Sequence, residues 1–224
     1  MNFVCICYGT KYEPVYVQKL YNMVQRHLNV PHKFIVYTDH VKMQKLVTGD
    51  IEVRQFPRHD LDGWWNKMQM YSKDSGLEGP CLYMDLDVVI LDNIDKMAKF
   101  GDDMTFGVIN DFNPSSGMYN SSIVKFNTDL THDLIWTPFI NDKTNYQRHQ
   151  GDQNVMSMLI KNNEHVRVMP DEWTFSFKWY SRKEPRFAKS EWNFDQMPGA
   201  MVSVFHGNPN PSESQVEWVI QHWK

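Results

Sequence analysis

The chain has 224 residues, 42% of them apolar and 14% aromatic, with a formal net charge of −4. That length and composition predict a single packed domain and exclude a disordered chain. The charge is mildly acidic and no Lys/Arg-dense stretch occurs, so no nucleic-acid footprint is expected; the longest basic cluster, Arg182-Lys183 with Arg186 and Lys189, reads as a solvated loop, with a patch facing a charged acceptor as the alternative.

Phe3 to Tyr8 is a continuous apolar run ended by Gly9, and it predicts a buried first strand. Pro14 opens a helix whose apolar face is Val17, Leu20, Tyr21, Val24 and Leu28. Phe34 to Tyr37 predicts a second strand, Val41 to Val47 a weaker helix, and Ile51 to Phe56 a third strand. Trp64 to Ser72 is expected to be helical. Leu82 to Leu91 reads as the most apolar strand, interrupted by two aspartates. Further on, Thr105 to Ile109 and Ser122 to Phe126 predict strands, and Leu130 to Ile140 and Gln153 to Lys161 predict helices. Trp173 to Tyr180 is aromatic and irregular. Val202 to Phe205 is a late strand, and Val216, Val219, Ile220 and Trp223 give a closing amphipathic helix.

Strands and helices alternating at these intervals predict an α/β fold with a mostly parallel sheet. Ligands of such sheets bind beyond the carboxyl ends of the strands. Tyr8-Gly9-Thr10, Thr38-Asp39 and Asp85-Leu86-Asp87 all fall at such ends. Cys5, Cys7 and Cys81 form no paired framework, fit a reducing cytoplasm and read as small buried hydrophobes. No signal-peptide pattern is present and about 18 apolar residues never run together, so neither secretion nor a membrane span is expected and the expected location is cytoplasmic.

The chemistry centres on Tyr83-Met84-Asp85-Leu86-Asp87-Val88-Val89-Ile90. Two carboxylates in so apolar a run are costly to bury without a cation or donors. Residues two apart share a face of a strand, so Asp85 and Asp87 at a strand end can reach one hard divalent ion. A strand end where both aspartates face water is the bland alternative. His206, between a late strand and Gly207, is the candidate third ligand; an imidazole with two carboxylates favours Mn²⁺, with Mg²⁺ the alternative. Gly151-Asp152-Gln153-Asn154 opens a helix, either as a simple Asp cap or with Asp152 and Gln153 turned toward a ligand. Trp64-Trp65-Asn66-Lys67 reads either as core tryptophans with a lysine at the surface or as rings beside a cation that meets a phosphate.

Taken in order, these pieces make the chain resemble the GT-A glycosyltransferases, in particular the family of glycogenin and the bacterial lipopolysaccharide galactosyltransferases or a neighbouring phage and bacterial group. Asn120-Ser121-Ser122-Ile123-Val124-Lys125-Phe126-Asn127 is similar to that family's Asn-Ala-Gly segment, Asp152-Gln153 to its Asp-Gln pair, and His206-Gly207 to its late histidine. The resemblance spans almost the whole chain. It implies a GT-A-type, Rossmann-like single domain, with residues 1–109 as the nucleotide-binding half and 110–224 as the sugar and acceptor half. It implies that Asp85, Asp87 and His206 hold Mn²⁺ against the diphosphate of a nucleotide-sugar, UDP-linked by analogy. Tyr8, Thr10 and Asp39 would lie near the base and ribose, and Lys67 near the ribose or phosphates. Asn120 and Asp152 would grip the transferred sugar, with Gln153 beneath its anomeric carbon. The acceptor would be a carbohydrate or glycoconjugate hydroxyl, and configuration would be retained. The chain departs from the pattern twice: Ser122 stands where the family has glycine, and Asn208 and Asn210 occupy the stretch where a phosphate-binding lysine usually follows the histidine.

Two other readings share some of these features. A sugar-phosphate nucleotidyltransferase also uses aspartate-bound metal, but carries a glycine-rich, arginine-containing loop where this chain has Gly9-Thr10-Lys11-Tyr12. A carbohydrate-binding module could use Trp64, Trp65, Trp173 and Trp179, yet would have no use for Asp85 and Asp87. If the transferase inverted configuration instead, Asp111 would be the candidate general base.

Overall fold

The structure, a computed structural model, describes residues 1–178 and 199–224; the Arg182–Lys189 cluster, Trp179 and Tyr180 lie outside the described residues. Among the described residues, ten strands form two sheets. β1 (Asn2–Cys7), β2 (Lys33–Thr38), β3 (Ile51–Gln55), β4 (Pro80–Met84), β6 (Phe106–Asn110), β7 (Tyr119–Asn127) and β8 (Val166–Val168) make a seven-stranded sheet in the order β3-β2-β1-β4-β7-β6-β8. β1, β2, β3 and β4 are parallel neighbours, β7 runs antiparallel to both β4 and β6, and β8 is parallel to β6. Only β7 therefore opposes the common direction, which is the mostly parallel α/β sheet expected. β5 (Val88–Ile90), β9 (Thr174–Ser176) and β10 (Val202–Val204) form a second sheet in the order β5-β10-β9.

The continuous apolar runs are explained by burial on both faces. Phe3, Cys5 and Cys7 of β1, Phe34 and Val36 of β2, and Leu82 and Met84 of β4 enter one core. Their alternates Val4, Ile6, Ile35, Tyr37, Cys81 and Tyr83 enter the other. Period-two side chains thus feed two apolar layers from the same strands. The first layer is covered by the helix Pro14–His27, whose Val17, Leu20, Met23 and Val24 are buried, and by the small sheet. Pro14 sits in the first turn, where its missing N–H costs nothing, and Arg26 and His27 fall in the last turn, where the helix dipole favours cations. The second layer is covered by Gly63–Tyr71, by the helical stretch from Thr128 to Asn141, and by the helix Asp152–Ile160.

Several expectations are corrected. Leu82 to Leu91 is not one strand: β4 ends at Met84, and β5 begins at Val88 in the other sheet. Asp85 N–H still bonds Ser122 C=O at 2.9 Å, and then the chain turns through Leu86 so that Asp87 C=O accepts from Phe205 N–H at 2.9 Å. The aspartates are the hinge between the sheets. Gly63–Tyr71 is helical as expected, and takes the 3₁₀ form. β8 escapes a sequence reading because Val166-Arg167-Val168 is too short to show a period, and β9 lies within the stretch read as irregular.

Leu20 has no exposed surface and lies at the centre of the first helix's apolar face. Leu20→Ala should lower stability by about 2–5 kcal/mol through lost burial and a residual cavity, read as a fall in the urea midpoint with an unchanged slope.

Candidate active site at the carboxyl edge of the sheet

The ends of β1, β2, β4 and β6 and the start of the reversed β7 all arrive at one edge. That brings Tyr8, Asp39, Asp85 and Asn120 to the same side of the molecule.

Lys67 is the centre of the arrangement. It comes from the 3₁₀ helix and is only 5% exposed. Its Nζ donates to Asp85 Oδ1 at 3.0 Å, to Ser121 C=O at 2.7 Å and to Ser121 Oγ at 3.2 Å, and lies 3.4 Å from Asp152 Oδ2. It also stands 4.6 Å from the centre of the Tyr83 ring, a cation–π distance. Burial alone would favour the neutral amine, but Asp152 and Asp85 outweigh it and raise the pKa above that of an ordinary lysine. The ammonium expected to face ribose or phosphate is therefore engaged by two carboxylates beneath the edge.

Asp85 receives a second, short hydrogen bond from the Tyr83 hydroxyl. Burial opposes its ionisation, yet Lys67 and the hydrogen bonds hold the carboxyl below the usual carboxylate range. Asp87 is in the opposite position. It is buried, its Oδ2 accepts from the Tyr12 hydroxyl at 2.7 Å, and burial together with the charge of Asp85 pushes it up to about 6. Two carboxylates two residues apart thus have divergent affinities for protons because only one of them has the lysine.

Asp152 is the first residue of its helix, but the cap is Gly151, so the simple Asp-cap reading is wrong. The Asp152 carboxylate instead accepts from Ser121 Oγ at 2.9 Å. Gln153 Oε1 accepts from Asn120 Nδ2 at 3.2 Å and Ser121 N–H at 3.4 Å. Asn120 Oδ1 in turn accepts from Ser122 N–H at 2.9 Å, which fixes the Asn120 amide. Ser121 is the residue sequence reasoning missed: its hydroxyl and carbonyl tie Lys67 to Asp152.

On the other side, both Asp39 oxygens accept from Gly9 N–H, at 3.1 and 3.0 Å, with Gly9 at φ +59°, where a side chain would be strained. Tyr8, Thr10, Asp39, Phe56, Arg58 and Asn66 are among the residues lining a groove of about 510 Å³, a volume suited to a small ligand. Burial, then Asp85, Asp152 and Asp87, raise the Tyr8 hydroxyl pKa, so this ring lies within the field of the aspartates.

His206 has other partners. Its Nε2 is 2.6 Å from Ser176 Oγ, and its ring stacks on Phe112 with centroids 5.7 Å apart and planes within 11°. Burial and Lys178 lower its pKa, favouring the neutral imidazole. Among the described residues, no three His, Cys, Asp or Glu side chains are gathered closely enough to hold a metal ion. His206 nevertheless follows Phe205, whose N–H bonds Asp87 C=O directly. Asp111 accepts from Asn113 N–H at 3.4 Å within the β6–β7 loop.

No protein-family model matches the sequence, and no curated protein does. The fold is that of the GT-A glycosyltransferases. The chain is similar to galactosyltransferase LgtC in complex with donor and acceptor sugar analogs, with TM-score 0.67 and 14% identity over 100% of this chain and 95% of that one. It is also similar to the glycosyltransferase GlyE of Streptococcus pneumoniae TIGR4, with TM-score 0.72 and 11% identity over 99% of this chain and 59% of that one. A third similar structure is the bifunctional glycosyltransferase WbbM, with TM-score 0.68 and 11% identity, of which this chain covers 49%. At these identities the likeness is one of fold. No described helix is long and apolar enough to cross a membrane.

Lys67→Met should destabilise the protein by roughly 3 kcal/mol, the lower end for breaking a buried pair, because the two carboxylates keep some contact with water. Lys67→Arg should recover part of this. Chemical denaturation at neutral pH measures both, and equal stability of Lys67→Met and the native chain would remove the lysine from the centre of the site.

Proposed function

We propose that the protein is a glycosyltransferase that moves a sugar from a nucleotide-sugar, with UDP the expected nucleotide, to an acceptor hydroxyl, with metal dependence and retention of configuration. The observation that carries this reading is the carboxylate pair Asp85 and Asp87 at the junction of two sheets, beside the Lys67–Asp152–Gln153–Asn120 network, on a GT-A fold. LgtC, one of the similar structures, is described with donor and acceptor sugar analogs and also with an active-site glutamine replaced by glutamate. Both descriptions favour a sugar-transfer role for the corresponding edge of this chain.

The residues fit a divalent cation. Asp87 is desolvated beside a second carboxylate and raised to about 6, a like-charge conflict that a cation relieves. Asp85, Asp87 and, after it leaves Ser176, His206 would hold Mn²⁺ or Mg²⁺. When bound, the ion supplies Lewis-acid stabilisation of charge on the departing nucleoside diphosphate.

The remaining roles fall to the chain itself. The groove at Tyr8, Thr10 and Asp39 receives the nucleoside. Lys67 keeps Asp85 ionised and holds Asp152 in place. Asn120 and Asp152 bind hydroxyls of the transferred sugar. Gln153, held by Asn120 on a helix start, presents its amide below the anomeric carbon as that carbon gains oxocarbenium character. The acceptor hydroxyl then attacks from the leaving-group face as the bond from the anomeric carbon to the diphosphate breaks, and its proton passes to the departing diphosphate oxygen. This reading assigns Asp111 to its loop and gives it no proton transfer.

A thermal-shift panel of nucleotide-sugars with Mn²⁺ identifies the donor, because binding to the folded state raises the melting temperature. With the donor so found, Asp87→Asn should cut turnover by about a hundredfold or more and chelation should stop it; full activity in chelator would overturn the metal assignment. Gln153→Ala should lower turnover far more than donor affinity, since a contact made mainly in the transition state acts on turnover and on kcat/KM alike. Steady-state kinetics with one donor separate these outcomes, and an unchanged turnover would return Gln153 to a structural role.

A further inference from the structure

The paired tryptophans Trp64 and Trp65 have opposite fates. Trp65 is buried, with its ring stacked on Phe139 at 5.8 Å and 19° between planes. Trp64 is 49% exposed. Its exposure is not the result of a loose backbone. Gly63 turns the chain at φ +56°, Trp65 N–H bonds Asp62 C=O at 3.1 Å, and Asn66 Nδ2 bonds Gly63 C=O at 3.1 Å. The residues on either side are held, and the indole is left facing water.

Its position is specific. Gly63 and Asn66 line the nucleoside groove. On the other side, among the described residues and leaving aside its own chain neighbours, the nearest atom to a Cβ built at Gly151 is Trp64 Nε1, at 4.0 Å. Gly151 is the cap of the helix that begins Asp152-Gln153. The indole therefore stands on the rim between the groove and the helix start that faces Asn120.

We propose that Trp64 is the stacking platform for the acceptor, and that the acceptor presents a pyranose ring with one apolar C–H face. This rests on the transferase reading. The flat side chain offers large contact area at little cost in conformational entropy, and its Nε1–H can donate to a ring hydroxyl. Glycine at 151 leaves the space above the indole edge open; a side chain there would narrow it.

The test uses the folded protein with Trp64→Ala, Trp64→Phe and Gly151→Val. Saturation-transfer NMR with methyl β-galactoside, methyl β-glucoside and lactose as probes, without donor, reads the platform directly. Transfer to the sugar C–H protons should be seen with the native chain and Trp64→Phe, and be lost in Trp64→Ala. In steady-state assays the acceptor KM should rise about tenfold in Trp64→Ala, while the donor KM changes by less than twofold. Gly151→Val should raise the acceptor KM in the same direction. Equal NMR transfer in native and Trp64→Ala protein, or a rise confined to the donor KM, would overturn the platform. Loss of saturation transfer in Trp64→Ala, with no turnover of any nucleotide-sugar, would support the platform and sink the transferase reading instead.

Discussion

Lys67 brings one positive charge to a place where Asp85 and Asp152 bring two negative ones, and the site is organised around that imbalance. A buried ammonium must be paired and hydrogen-bonded, and here it is bonded to the end of β4, to both the carbonyl and the hydroxyl of Ser121 on β7, and lies close to the first residue of a helix. Four elements are thereby fixed relative to one another by a single side chain. The consequence reaches beyond the pairs themselves. Asp87, whose closest hydrogen-bond donor is a neutral tyrosine, absorbs the electrostatic cost that Asp85 has been spared. One carboxylate is part of the frame, and its neighbour is left with the raised proton affinity.

The site is also divided between two sheets. Asp85 belongs to the end of the large one, while Asp87 is joined through its carbonyl to Phe205, just beyond β10 of the small one. The histidine read as a third ligand follows that same strand. Its ring rests on Phe112 from the loop after β6 and against Ser176 at the end of β9. Ion binding would therefore draw on three separate pieces of chain, and the register between β5 and β10 determines where two of them meet.

Of the parallel strands, β1, β2 and β4 were legible because each run is apolar at both parities, which only a two-faced sheet requires. Phe3 and Val4, Phe34 and Ile35, and Leu82 and Tyr83 divide between the two cores as alternation demands. The Asp85–Asp87 spacing was legible as a charge anomaly. What the sequence could not show was that the anomaly is a boundary, since Leu86 is as buried as any strand residue and only the change of pairing partner ends β4. Ser121 and Tyr12 were invisible for a different reason: their roles depend on a lysine 54 positions away and an aspartate 75 away. Lys67 was found by its company of tryptophans, but its partners were not, because a phosphate and a carboxylate are indistinguishable targets for an ammonium read from sequence. The helix start at Gly151 was recognised and its cap misassigned by one residue, within the usual uncertainty of helix ends.

The reversed strand β7 has a practical consequence. Because β6 and β7 are antiparallel neighbours, the chain joins them by a direct hairpin loop, Asp111 to Met118, closed by Asp111 N–H to Met118 C=O at 3.2 Å. A hairpin loop can be lengthened without changing the pairing on either side, and doubling its length costs only about 0.6 kcal/mol in closure entropy. Phe112 must stay, since it carries the histidine ring, but Pro114 to Gly117 carry no such duty and are largely exposed. The molecule therefore contains an adjustable segment beside its most constrained one. New residues grafted there would stand at the edge of the site without passing strain to the lysine and carboxylates that hold it together.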